Sequence, residues 1–242
     1  MIKYINNLIG YACNNQEKLF AGSDLEEVFR VNLIKQPNGW YYRNQEITYT
    51  YNEHGHRCQS LNSLDTSNLL LFTGCSHTEG IGLQLEKTYP YLVSQNLNCN
   101  YYNLAIGGTG IDILLYNLIS YRQLIKTLPK ILFVQWPEFT RFSIFEENNS
   151  ISTRSISQNL SDNLINFIVA GDQEGYFRSK QVMAKKIINL LYPCKTVYIG
   201  YSTFEPNDVD IRLHPSDLAR DQLHTGTDSN LKLANELVAL LR

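Results

Sequence analysis

From Leu69 onward the chain repeats one rhythm, a short apolar run, a glycine-rich or polar turn, then a stretch with helical spacing. The runs "LLLFTG", "YYNLAIGG", "ILFVQW" and "TVYIGY" are too short and too uniformly apolar for surface strands, and they fit strands buried on both faces. Between and after them, Ile111, Leu114, Leu115, Leu118, Ile119 and Ile125 mark one helix and Val182, Met183, Ile187, Leu190 and Leu191 a second. Leu231, Ala234, Leu237, Val238 and Leu241 mark a third. Strand and helix in alternation predict an α/β domain over residues 66–242, with a parallel sheet and helices on both faces. Ligands of such sheets sit beyond the carboxyl ends of the strands. A polar insertion at about 138–180 interrupts the rhythm and reads as a lid or a substrate-selecting loop.

Residues 1–65 read as an N-terminal elaboration packed on that core. Ile2, Ile5, Leu8, Ile9 and Ala12 recur at helical spacing, and in "SDLEEVFRVNLI" Ser23 precedes Glu26 by three positions, a capping-box pattern. Two short helices are expected here. "QPNG" then breaks the pattern, and the aromatic, β-branched "WYYRNQEITYTY" predicts a hairpin. No internal repeat is visible.

Composition narrows the partners. With 242 residues, 43% hydrophobic and 18% charged, the chain can bury an ordinary core. A formal charge of -2 without a Lys/Arg run offers no footprint for nucleic acid or an anionic membrane. The five cysteines are scattered and keep no zinc spacing, which points to free thiols in a reducing compartment. No stretch reaches about 18 apolar residues and the amino terminus lacks the layout of a leader, so a soluble, cytoplasmic protein is expected.

Three strand ends carry polar or glycine residues to one edge: Ser76, the segment "NLAIGGTG" from Asn103 to Gly110, and Gln135 with Trp136. Near the C-terminus "DLARDQLHTG" adds Asp221 and His224, spaced so that a loop can set the carboxylate beside the imidazole. A serine hydroxyl is a weak nucleophile at neutral pH. It needs an imidazole to take its proton and a carboxylate to hold the tautomer and steady the imidazolium. Ser76, His224 and Asp221 fit those roles, and the Ser76 amide with one from the Gly107-Gly108 pair would meet the oxyanion. Taken alone, Ser76 is equally a helix N-cap, and Asp221 and His224 are an ordinary loop acid and surface histidine; the three together favour the nucleophile. His77 is set aside as a base because neighbours on a turn point apart, and His54, His56 and His214 read as solvated loop residues rather than metal ligands. No metal is predicted. The Gly107–Gly110 run matches neither a dinucleotide fingerprint nor a phosphate loop. Trp136 and Arg141 are candidate wall residues, although a strand-end tryptophan is commonly core.

Together these residues resemble the SGNH/GDSL hydrolase superfamily of esterases, over about residue 47 to the C-terminus. "GCSHTEG" is similar to the family's first block, with Ser76 at the nucleophile position. "NLAIGG" resembles the second, placing Gly108 at the oxyanion glycine, and "DQLH" matches the Asp-x-x-His of the fifth. "ITYTYNEHGHR" resembles an Asn-x-x-Gly-x-Arg element that precedes the nucleophile strand in part of the family. The resemblance implies a three-layer α/β/α fold (flavodoxin-like), with residues 66–242 as the catalytic domain, ester hydrolysis through an acyl-enzyme, and no cofactor. Two departures stand out. Cys75 occupies the place of the family's aspartate, and "VQWPEFTR" puts Pro137, which has no donor at all, near the place of the third-block asparagine. Either the Gln135 amide substitutes in the oxyanion hole, or the hole has one donor fewer.

The expected function is a serine esterase acting on a small-molecule or carbohydrate ester, such as a sugar O-acetyl group, rather than a long-chain lipid. An acyltransferase working through the same acyl-enzyme is the near alternative. A non-catalytic binding or structural module that keeps the fold is the alternative from another class, motivated by the altered third block.

Overall fold

The computed structural model describes residues 1–5, 7–12, 16–138, 140–147, 149–155, 173–201 and 208–242. The chain opens with an antiparallel pair, β1 (Ile2–Ile5) and β2 (Leu8–Tyr11), with Ile5 opposite Leu8 and Asn7 between them at φ 71°. This corrects the expected first helix. The spacing of the five apolar positions suits a helix, but tertiary contacts override it: Leu8 and Ile9 are fully buried, and the free edge of β2 is met by the Asn117 side chain. Asn117 accepts the Ile9 N–H at 2.8 Å and donates to the Ile9 carbonyl at 2.9 Å, doing the work of a further strand.

Next come β3 (Glu17–Lys18), α1 (Glu26–Lys35) and β4 (Tyr49–Thr50), with β3 and β4 paired antiparallel. The expected second helix is therefore present, but its cap position is Leu25 and no side chain caps it. The expected hairpin from Trp40 is not formed: Tyr41–Asn44 is a single 3-10 turn. Burial explains this better than pairing, because Tyr42, Tyr49 and Tyr51 close on Ile47, Ile81 and Leu83 as a separate small core.

The expected α/β unit follows: β5 (Leu69–Thr73), α2 (Ser76–Glu79), α3 (Tyr89–Leu97), β6 (Asn100–Asn103), α4 (Ile111–Leu124) and β7 (Ile131–Gln135). After β7 the chain forms a hairpin of β8 (Arg141–Phe145) and β9 (Ser150–Ser155). It then continues to α5 (Gln173–Leu191), β10 (Lys195–Gly200), β11 (Ile211–Arg212) and α6 (Thr227–Leu241). Residues 156–172 of the expected insertion lie outside the described residues. The five central strands pair in parallel in the order β11-β10-β7-β5-β6. Leu70, Leu71, Phe72, Leu132, Phe133, Val134 and Ile199 are fully buried, each worth about 1.5–3 kcal/mol of transfer free energy. On α5 the core-facing residues are Ala184 and Ile188, whereas Val182, Met183 and Leu190 of the apolar pattern are exposed.

From β5 the chain steps first to β6 on one side and then to β7 on the other, so the connecting helices fall on opposite faces and a crevice opens beyond β5. Ser76 stands at that point. A second sheet, in the order β2-β1-β9-β8, joins the N-terminal hairpin to the hairpin after β7. Its apolar side meets α4 through Ile9, Ile106, Ile113 and Ile151.

His54 and His56 are buried, which corrects their reading as solvated residues; His214 is exposed. The His56 Nε2 faces the Ile9 carbonyl at 3.0 Å, which leaves Nδ1 to accept the Tyr102 hydroxyl at 3.1 Å. Burial pushes this imidazole down from 6.5 to about 4. The unfolded ring therefore takes its proton near 6.5 and the folded ring only near 4, so stability is full above the first value and falls as pH drops toward the second. The slope is about 1.4 kcal/mol per pH unit. In an NMR titration the His56 ring should keep its neutral-imidazole signals from about pH 7 to about pH 5. A midpoint near 6.5 would mean that water reaches the ring.

Candidate active site

β5 ends at Thr73, and Ser76 is the first residue of α2. The turn is closed by the Glu79 N–H donating to the Cys75 carbonyl and the Gly80 N–H to the Ser76 carbonyl, both at 2.9 Å. Arg57, fully buried, holds it from behind, donating to the carbonyls of Gly80 at 2.6 Å, Leu83 at 2.7 Å and Thr48 at 3.1 Å. Its guanidinium lies 4.2 Å from the centre of the Tyr49 ring. Asn52, of the same segment, accepts the N–H groups of His54 and His56 and so shapes the loop that delivers Arg57.

The loop before α6 brings Asp221 and His224 to this turn. The Ser76 Oγ is 2.6 Å from the His224 Nε2, and the His224 Nδ1 is 2.6 Å from the Asp221 Oδ2. The other carboxylate oxygen accepts the N–H groups of Leu223 and His224, each at 3.1 Å. Burial would raise the Asp221 carboxyl, but the hydrogen bonds and charge of His224, with the Ser23 hydroxyl and the Leu223 N–H, hold it below its usual range.

On the other side of Ser76 is the loop after β6. The Gly107 N–H is already taken, by the Glu79 Oε2 at 2.6 Å and the Tyr11 hydroxyl at 3.0 Å. Gly108, at φ +77°, has a backbone that other residues rarely adopt, and a Cβ on Gly110 would come 2.7 Å from the Arg141 carbonyl oxygen. Among the described residues, neither the Ser76 nor the Gly108 N–H is taken by a protein acceptor. Gln135 is fully buried; its Nε2 donates to the Trp136 carbonyl at 2.8 Å, and its Oε1 accepts the Thr78 hydroxyl at 3.0 Å and the Cys75 N–H at 3.4 Å. Asn103 is a brace within the fold, its Nδ2 donating to the Thr78 carbonyl at 2.8 Å.

A cavity of about 920 Å³ opens over Ser76, walled by Tyr11, His77, Trp136, Arg141, Tyr201 and Leu223. Arg141 pairs with Glu138 at 3.1 Å beside it. A second cavity, of about 660 Å³, lies between Trp40, Lys87 and Asp217 and shares none of these residues. His77 lies in the cavity wall, because the turn is helical and its ring stacks on Tyr201, with 3.9 Å between centres and 4.8 Å to the His224 ring. Burial, and next the neighbouring His224, push the His77 imidazole down to about 3, so it is a neutral wall near neutral pH. Glu79, Tyr11 and Ser23 are site residues that the sequence reading missed. Among the described residues, no group of three His, Cys, Asp or Glu side chains is placed to hold a metal, and no helix is long and apolar enough to cross a membrane.

No family model and no curated protein matches the chain. Among solved structures, similar chains include a family two carbohydrate esterase from Clostridium thermocellum in complex with cellohexaose. It is 12% identical at a TM-score of 0.48, and the match covers 74% of this chain and 64%, under two thirds, of that one. A carbohydrate esterase family 2 enzyme with a carbohydrate-binding domain from Corynascus thermopiles is 14% identical, with a TM-score of 0.49 over 77% of this chain and 68% of that one. A psychrotrophic esterase from a Pseudoalteromonas species is 12% identical, with a TM-score of 0.45 over 72% and 97%. These are carbohydrate esterases and esterases, the kind of protein that the motifs resemble. The fold class rests on the strand order and parallel pairing of the central sheet.

Arg57→Lys tests how much of the turn depends on the guanidinium. One ammonium cannot reach the three carbonyls that the planar fork serves, so the variant should lose about 2–4 kcal/mol in denaturant unfolding. An unchanged midpoint would show that these carbonyls find other partners.

Proposed function

We propose that the protein is a serine ester hydrolase in which Ser76 is the nucleophile, His224 the general base and Asp221 the orienting carboxylate. The observation that carries this reading is the chain of two 2.6 Å contacts from Asp221 through His224 to Ser76, at the floor of an open cavity. In the acylation step His224 takes the Ser76 proton as the hydroxyl attacks the ester carbonyl. Asp221 steadies the imidazolium that forms. His224 then returns the proton to the leaving alcohol, and a water activated by the same imidazole releases the acyl group.

The developing oxyanion needs donors that are already in place. The Ser76 and Gly108 N–H groups take this role. Gln135 is assigned to the same hole through the second hydrogen of its amide nitrogen, the first being donated to the Trp136 carbonyl. Glu79 supports the arrangement by engaging Gly107 and so leaving the next amide to face the substrate.

The substrate is proposed to be a small acyl ester with a polar alcohol side, a carbohydrate O-acetyl ester being the leading case. The cavity supports this with aromatic walls at Trp136 and Tyr201 beside the charged pair Glu138 and Arg141, a lining suited to a sugar.

A fluorophosphonate probe tests the reading directly. Intact-protein mass spectrometry should show one adduct on the wild type, none on Ser76→Ala, and turnover of an activated ester should fall about 10⁴-fold or more in both Ser76→Ala and His224→Ala. Absence of the adduct on folded wild-type protein would overturn it. Gln135→Ala should lower kcat about 10-fold or more with KM little changed, and an unchanged kcat would remove Gln135 from the hole.

A further inference from the structure

Ser23 begins what reads as a capping box, yet in the fold it caps nothing: the cap position of α1 is Leu25. Its hydroxyl instead crosses to the far end of the chain, donating to the Asp221 Oδ2 at 2.7 Å and lying 3.4 Å from the His224 Nδ1. Asp221 is thus a carboxylate with four hydrogen bonds, two backbone N–H groups on one oxygen and the imidazole and Ser23 on the other.

The neighbouring residue explains why Ser23 arrives there. Asp24 is completely buried and grips Arg220, which directly precedes Asp221, with contacts of 2.9 Å from Nε to Oδ1 and 2.7 Å from Nη2 to Oδ2. Arg220 also donates to the Leu19 carbonyl at 2.6 Å and sits over the rings of Phe20 and Phe29. The Tyr49 hydroxyl donates to the Asp24 Oδ2 at 2.6 Å and accepts the Gly82 N–H at 2.8 Å, reaching the segment behind Ser76. Asn32, on α1, donates to the Arg220 carbonyl at 3.0 Å. One buried ion pair therefore joins the N-terminal segment to both the Asp221 loop and the nucleophile turn. A buried pair of this kind adds little net stability, and its best-attested use is to fix register.

We propose that Ser23 is a positioning residue for the Asp221–His224 pair, delivered by the Asp24–Arg220 clamp, so that the N-terminal segment is part of the catalytic unit. This rests on the hydrolase reading for its role in turnover, although the coupling itself is a property of the imidazole. Removing the Ser23 donor frees a lone pair on the Asp221 carboxylate, which then holds the imidazolium more strongly. The midpoint of His224 should rise. The other groups around His224 are Ser76 and His77 on α2, Tyr201 stacked on His77 at the end of β10, Arg141 across the cavity, and Asp24 and Arg220 behind Asp221. None of them is altered in a Ser23 variant.

The test is an NMR titration of the His224 ring in wild type, Ser23→Ala and Ser23→Thr, with fluorophosphonate labelling rates measured over the same pH range. Ser23→Ala should raise the midpoint by about half a pH unit or more, move the acid limb of labelling the same way and slow labelling roughly 10-fold, while Ser23→Thr restores both. A His224 midpoint that stays put in Ser23→Ala would overturn the proposal. A midpoint that moves in a wild-type background that never labels would overturn the hydrolase reading and leave the Ser23 coupling standing.

Discussion

A guanidinium taken out of water must be met by acceptors in fixed places, and two such groups, Arg57 and Arg220, set how this chain closes. Arg57 comes from the N-terminal segment and gives its terminal nitrogens to carbonyls around the Ser76 turn. Arg220 comes from the C-terminal loop and is answered by Asp24 of the N-terminal segment. The desolvation of each ion costs several kcal/mol and leaves little net gain from the pairing. What the arrangement secures is geometry: a shift of the N-terminal segment by one residue would strand a cation in the core, so turn, loop and segment hold one mutual register.

That register separates two buried acids by environment. Asp221 receives four hydrogen bonds, one of them from an imidazole, and is held below the usual carboxylate range despite its burial. Glu79, three residues after Ser76, is pushed up by burial, although the Gly107 N–H, the Arg57 charge and the hydroxyls of Tyr11 and Tyr51 pull the other way. The first stays an anion and can steady a positive imidazole. The second holds the backbone of the loop that carries Gly108 in the cavity wall, so the electrostatics are divided between a group that answers charge and a group that fixes a loop.

The parts of this structure that were legible in the sequence are those whose physics is local or strongly periodic. β5, β7 and β10 are buried on both faces and so read as continuous apolar runs, and α4 and α6 kept a helical period. Ser76, Asp221 and His224 were legible as residue types in an order, and the fold brings those three together. The misreadings have one cause, a partner far away in sequence. β2 became a strand because Asn117, 108 positions away, supplies its edge. Ser23 matched a local capping pattern while its partner lies 198 positions on. Gly108 was singled out by the resemblance of "NLAIGG" to a family motif, whereas the grip of Glu79 on the Gly107 N–H depends on where one carboxylate of α2 points and had no signal in the sequence.

The antiparallel sheet gives the N-terminal hairpin and the hairpin after β7 a shared consequence. Tyr11, the last residue of β2, reaches Glu79 at 3.0 Å and accepts the Gly107 N–H, while Arg141, the first residue of β8, walls the cavity. The backbone of Arg141 also packs against Gly110, and Asp112 at the start of α4 accepts the Ser143 N–H at 2.6 Å, pinning β8 over the loop after β6. Two pieces of chain that are distant in sequence thus form one wall, and this wall touches the same loop that presents Gly108. Changes in either hairpin would reshape the cavity and the loop that carries Gly108 together, without touching Ser76, His224 or Asp221. The shape of the cavity and the conformation of the loop that carries Gly108 are therefore mechanically linked.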